Sequence, residues 1–180
     1  LGSGTAKAIN RVFWAEWLDD ATFHSTANGN LTESTALTVD GLDAAFTKFH
    51  DMKDYDGNPM GLSPRILLVG NALFKTANAL MADSQILENG NSSRKQYSTN
   101  NPFAGEFTLV RSSHVPAGTF YLMANPSEQA AIEVAFLNGR RTPMIEQASA
   151  DLNRLGVIMR GIFDFGVAKQ EHKVSQKVTA

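Results

Sequence analysis

The sequence predicts an α+β chain, on three observations. Amphipathic helical stretches dominate the first part, short strand-like runs dominate after Pro102, and no internal repeat or low-complexity tract supports a solenoid or propeller. The 180 residues, 43% hydrophobic and 19% charged, suffice for one globular domain or two closely joined lobes with a real core.

The first helix is read over residues 5–20. Ser3 and Thr5 are its candidate caps, and Ile9, Val12, Phe13, Trp17 and Leu18 recur at three-to-four spacing up to Asp19-Asp20. Trp14 and Trp17 within one turn predict a heavily buried face. Ser25 to Thr38 is mostly Ser, Thr, Asn and Gly, with Asn28-Gly29 as a turn dipeptide, so the chain crosses there between structural units.

Thr38 then caps a second helix with Leu42, Ala45, Phe46, Phe49 and Met52 on one stripe, ended by the turn-forming run from Asp54 to Pro59. Arg65 to Val69 is a short continuous apolar run between Pro64 and Gly70, the pattern of a buried strand. Asn71 is the candidate N-cap of the next helix, which carries Leu73, Phe74, Ala77, Leu80 and Met81. Asn89 to Asn101 is polar and reads as an exposed loop.

Beyond Pro102 the strands are Glu106 to Val110, Thr119 to Ala124, Ile132 to Leu137, and Gly156 to Phe165. Asn138-Gly139 carries a hairpin signal, because both residues tolerate positive φ.

Composition excludes several functions. Sixteen Lys+Arg against eighteen Asp+Glu give a net charge of −2, which offers no footprint for nucleic acid or an anionic membrane. The absence of cysteine removes disulfides, thiolate metal sites and Cys nucleophiles together. Apolar runs such as Ile66 to Val69 and Phe120 to Ala124 are far shorter than the ~20 residues that cross a bilayer. Leu1 opens the sequence without Met or a signal-peptide layout, which reads as an internal fragment or processed product.

No motif assembles a catalytic, cofactor or metal site. With Asp54 as first ligand, a calcium loop would need Gly where Pro59 stands, so that segment reads as a plain turn. Gly2-Ser-Gly4 has no strand before it, and the dinucleotide fingerprint fails. Gly70-Asn71 is a better anion candidate, at a helix N-terminus, but one such terminus is weak evidence and a structural cap is the stronger reading. His24, His50, His114 and His172 stand singly, and no Gly-x-Ser-x-Gly elbow occurs.

Several motifs occur in an order that carries a resemblance. Gly61 to Val69, Asn71-Ala-Leu with its helix, Asn101 to Gly105 before Thr108-Leu-Val110, Thr119 to Pro126, Ile132 to Gly139, Pro143 to Glu146, and Gly156 through Gly166 together resemble the major head proteins of Mu-like prophages. The resemblance covers about residues 25 to 168. It implies the Hong Kong 97-type capsid fold: an axial lobe and a peripheral lobe with a spine helix and a β sheet. Residues 1–27 would then be the end of the spine helix, 28–130 the axial lobe, 131–167 peripheral-lobe strands, and 168–180 a C-terminal return toward the axial lobe. Lys169 to Lys173 departs from the family's usual Asp-aromatic-Arg-Gly ending, and the N-terminal arm, extended loop and most of the spine helix have no counterpart here.

The implied function is a structural subunit of a phage or prophage icosahedral head, forming pentamers and hexamers with other copies of itself. It would be assembled in the bacterial host cytoplasm and found in the virion, with no cofactor, no sequence-specific nucleic acid, no membrane and no small-molecule substrate. Its working residues are then interface residues. Arg140 and Arg141, at the Asn-Gly turn, are candidates because Arg is common at contact hot spots. Along 156–165, alternation places Val157, Met159 and Phe163 on one face and Ile158, Arg160 and Ile162 on the other. Both faces carry apolar groups, so one meets a helix and the other a lobe or a neighbour. The alternatives are a small-ligand or anion-binding α/β module at Gly70-Asn71, and another phage structural component such as a decoration or tail protein.

Overall fold

The computed structural model describes residues 2–19, 22–88, 97–148 and 156–180, with the backbone alone at 2, 86–88, 97–99, 148 and 158. In chain order the elements are α1 (Gly2–Leu18), β1 (Leu31–Thr32), α2 (Val39–His50), β2 (Pro64–Val69), α3 (Phe74–Ala82), β3 (Gln85–Glu88) and β4 (Tyr97–Asn100). They continue with β5 (Thr108–Arg111), β6 (Thr119–Ala124), β7 (Ile132–Phe136), β8 (Met144–Ala148), β9 (Ile158–Ile162), β10 (Phe165–Lys169) and β11 (Ser175–Thr179). The chain divides into two units: unit 1 comprises Leu1–Asp20 and Ile132–Gln170, and unit 2 comprises Ala21–Ala131 and Glu171–Ala180.

Unit 2 is built on a five-stranded sheet in the order β1-β11-β6-β2-β5. β6 is antiparallel to both β11 and β2, while β1 joins β11 and β5 joins β2 in parallel. The apolar run of β2 and the whole of β6 sit at the middle, where both faces are covered, so neither strand alternates. Leu67, Val69, Phe120 and Leu122 are fully buried. Pro64 lacks an N–H, and the β2/β6 register shifts between it and Ile66, as expected of a proline at a strand's start.

α2 forms as its stripe predicts. The Thr38 hydroxyl accepts the Gly41 amide at 3.1 Å, and Leu42, Ala45 and Phe49 are buried. Phe46, Phe103 and Phe107 make a ring cluster with centroids 5.9–6.1 Å apart.

Two expectations fail in this unit. Asn71 does not cap α3, which begins at Phe74 behind Leu73, without a side-chain cap. Its Oδ1 instead accepts the Arg111 Nε–H at 2.7 Å. Residues 97–100 are not loop but β4, antiparallel to β3, and residues 89–96 of the same expectation lie outside the described residues. Asn101 is buried: its amide donates to the Leu80 and Asp83 carbonyls at 2.6 and 2.8 Å and closes the end of α3.

In unit 1, α1 lies against β10, and Lys169 Nζ donates to the Asp19 carbonyl at 3.0 Å. The helix starts earlier than expected, at Gly2, so Ser3 and Thr5 lie inside it. Its apolar face is also less buried: Trp17 is enclosed, but Trp14 is half-buried and Val12 and Leu18 are partly exposed.

The run 156–165 is not one strand. It splits into β9, paired with β8, and β10, paired with β7. Packing decides the split: the Phe163 ring lies 5.9 Å from Phe136 and 5.3 Å from Phe165, and the Asp164 carbonyl accepts the Leu137 amide, drawing β10 onto β7.

Asn138-Gly139 makes a tight turn with φ of 53° and 68°, but no hairpin across it. β7 pairs with β10 instead, because the segment after the turn leaves to form β8. Space around Gly139 is open, so Gly139→Val is opposed by backbone conformation alone and is expected to cost ~1 kcal/mol or more. A thermal melt unchanged by the substitution would contradict the turn.

Candidate interface for self-association

β8 and β9 form a separate two-stranded ribbon, with Met144 opposite Ile162, Glu146 opposite Arg160 and Ala148 opposite Ile158. Paired residues share a face, so these six residues define one side of the ribbon. Ile145, Gln147, Gly161 and Met159 define the other. Ribbons of this kind have two free edges and bury little on their own.

Apolar exposure concentrates here. Met144 is 42%, Ile145 55%, Val157 60% and Met159 56% exposed. Near its base, Gly161 shares a recess of about 230 Å³ with Gly4, Thr5 and Ala8 of α1. Met159 and Val157 stay in solvent.

The candidate residues come together in part. Arg160 and Ile162 lie on one face, where the Arg160 guanidinium pairs with the Glu146 carboxylate. That pair is exposed and screened, so it orders the ribbon more than it stabilises the fold. Arg140 shares a recess of about 250 Å³ with Met144, Ile162 and Asp164. Arg141 is exposed, with its guanidinium 6.0 Å from the Phe136 ring centroid. The side chain of Ile158 lies outside the described residues, although its strand position places it on the Arg160 face. Sequence reasoning missed Met144 and Ile145 as interface candidates. The two adjacent apolar residues after Pro143 do not alternate and gave only a weak strand signal.

Elsewhere, several polar groups that the sequence singles out are engaged in structure. His24 is buried, with Nε2 3.0 Å from the Ser175 hydroxyl. Its ring lies 5.4 Å from that of Tyr121, whose phenol burial pushes up to about 12. The Asp54 carboxylate accepts the Asn58 and Asp56 amides at 2.7 and 2.9 Å, and the Asn58 bond leads in holding its pKa below the usual range. These bonds make the segment an Asx-type turn. Gly70 is packed against the Val115 backbone, where an added Cβ would meet the carbonyl oxygen at 2.8 Å. Among the described residues, no group of three or more His, Asp or Glu could hold a metal, and no helix is long and apolar enough to cross a membrane.

No curated protein sequence matches the chain. The cryo-electron-microscopy structure of the holo-SrpI encapsulin complex from Synechococcus elongatus PCC 7942 is similar over 97% of this chain and 62% of that one, at 13% identity and a TM-score of 0.50. The present chain therefore spans under two thirds of that protein's length, and at this identity the likeness speaks to the fold, which is of the Hong Kong 97 type. The profile described as phage capsid protein matches residues 1–175, and by that match the chain belongs to the phage capsid protein family.

Proposed function

We propose that the chain is part of a structural subunit of a phage or prophage head, associating with other copies into pentamers and hexamers. The family match across residues 1–175 carries this reading. The order of short motifs from Gly61 to Gly166 supports the Mu-like prophage grouping. The division into two units supports assigning residues 28–130 and the C-terminal return to an axial lobe, and residues 1–27 and 131–167 to a peripheral lobe. The subunit performs no catalysis, assembles in the host cytoplasm and resides in the virion.

The β8–β9 ribbon and the adjacent turn supply a contact with a second copy, through Arg140, Arg141, Ile158, Arg160 and Ile162. Met159 and Ile145 extend the contact on the opposite face. Such a contact is small: a few partly exposed side chains fall well short of the ~800 Å² per partner that a stable interface needs.

Residues 1–180 alone are therefore expected to be monomeric or weakly associated at micromolar concentration, while the full-length parent forms rings or shells. Mass photometry of the chain and negative-stain microscopy of the parent test this. A parent that stays monomeric under every assembly condition, or a chain that turns over a small-molecule substrate, would sink the reading. A bacterial shell other than a phage head is the second reading, favoured by the encapsulin likeness. Nucleic acid inside purified particles separates the two.

A further inference from the structure

We propose that a cleft in unit 2 binds an acidic peptide segment carrying an apolar anchor. The cleft, of about 450 Å³, lies between the turn at residues 26–29 and the end of α2. Lys48, Lys53 and Lys173 line it together with one acid, Asp51. Three lysines against one aspartate make a local excess of positive charge on a chain whose net charge is −2.

Lys48 and Lys53 are exposed, and among the described residues neither has an ion-pair partner. Lys173 is held in place: its Nζ sits 3.8 Å from the centroid of the Tyr55 ring, and the Tyr55 hydroxyl donates to the Glu171 carboxylate at 3.2 Å. The negative end of the α2 dipole explains a lysine in that helix's last turn. It does not explain Lys53 and Lys173, which reach the cleft from outside the helix.

The inner wall is partly apolar, with Leu31 and Met52 beside the polar Thr26 and Asn28. Leu31 is half-buried and Met52 is 7% exposed. A cationic rim over a partly apolar wall matches carboxylates spaced beside an aliphatic side chain, the composition of an acidic amphipathic peptide. Nucleic acid fits less well, because Tyr55 beside Lys173 offers one ring at most for base stacking, the described lining residues include no aromatic side chain, and the chain's net charge is −2.

The test uses the whole chain with a fluorescein-labelled peptide alternating Glu and Leu, its Ser–Leu and Lys–Leu counterparts, and a labelled single-stranded oligonucleotide. Fluorescence anisotropy is expected to show binding of the Glu–Leu peptide, weakened by added salt. The double variant K48E/K53E is expected to lower its affinity about tenfold or more. Both lysines are exposed, so the variant's melting curve is expected to match that of the parent, and a single K173M variant gives an independent loss of affinity. Equal binding of the Ser–Leu peptide, affinity unchanged in both variants, or lysine-dependent binding of the oligonucleotide in place of the peptide would overturn the proposal.

Discussion

Phe120→Ala is expected to destabilise unit 2 by ~3–5 kcal/mol. Phe120 is fully buried in β6, paired with Val178 of β11 on one side and Val69 of β2 on the other. Removing the ring takes away its transfer energy and leaves a cavity that sheet strands on both sides keep from collapsing. For a unit of this size the loss corresponds to a fall in Tm of roughly 10 °C or more. Both tryptophans lie on α1 in unit 1, so tryptophan fluorescence follows that unit, while circular dichroism of the strand signal also registers unit 2. The dichroism transition should move down. Ile145→Ala, at a side chain 55% exposed, is expected to stay within ~0.5 kcal/mol of the parent. Equal effects of the two substitutions would refute the placement of the core.

Gly41→Ala is expected to destabilise by ~2–4 kcal/mol, against the gain of ~1 kcal/mol that alanine brings to an ordinary helix position. A Cβ at residue 41 would stand 2.1 Å from the Ala36 carbonyl oxygen and 3.0 Å from the Thr35 methyl. The Ala36 oxygen is itself fixed, since it accepts the Thr38 amide at 2.9 Å. Relief requires that carbonyl or the first turn of α2 to move, and either movement strains the Thr38 cap, a contact of ~1 kcal/mol. Urea denaturation measures the effect as a lowered midpoint. A raised midpoint would show that the chain before α2 does not approach Gly41 as described.

Local pattern made much of the fold readable. The α2 stripe with its Thr38 cap, the β2 run from Arg65 to Val69 and the β6 run from Thr119 to Ala124 all formed where periodicity and flanking residues placed them. Asn138-Gly139 turned as its tolerance of positive φ required. Each of these signals arises within about a dozen residues.

Partner choice was not readable in that way. β11 has little strand signal of its own in Ser175-Gln-Lys-Val-Thr179, yet it lies between β1 and β6. Its Gln176 is buried, with the amide donating to the Thr32 hydroxyl at 2.8 Å, a bond to a residue far away in the chain. Likewise, the 156–165 run looked like one strand because alternation says nothing about a change of neighbour.

The interface candidates show the same limit. That Arg160 and Ile162 share a face followed from the strand period, but that the face lies on an exposed ribbon with Glu146 opposite Arg160 was settled only by the pairing of β8 with β9. By itself the sequence determined the α+β class, the principal capped and apolar elements, and, through motif order, a resemblance to phage head proteins, of which the profile match established membership of the phage capsid protein family. Tertiary structure alone decided which strands are neighbours, which apolar residues remain in solvent, and which lysines converge on one cleft. The physical reason is that propensity, capping and periodicity act between near neighbours along the chain, whereas burial and pairing depend on distant segments that meet only when the chain is folded.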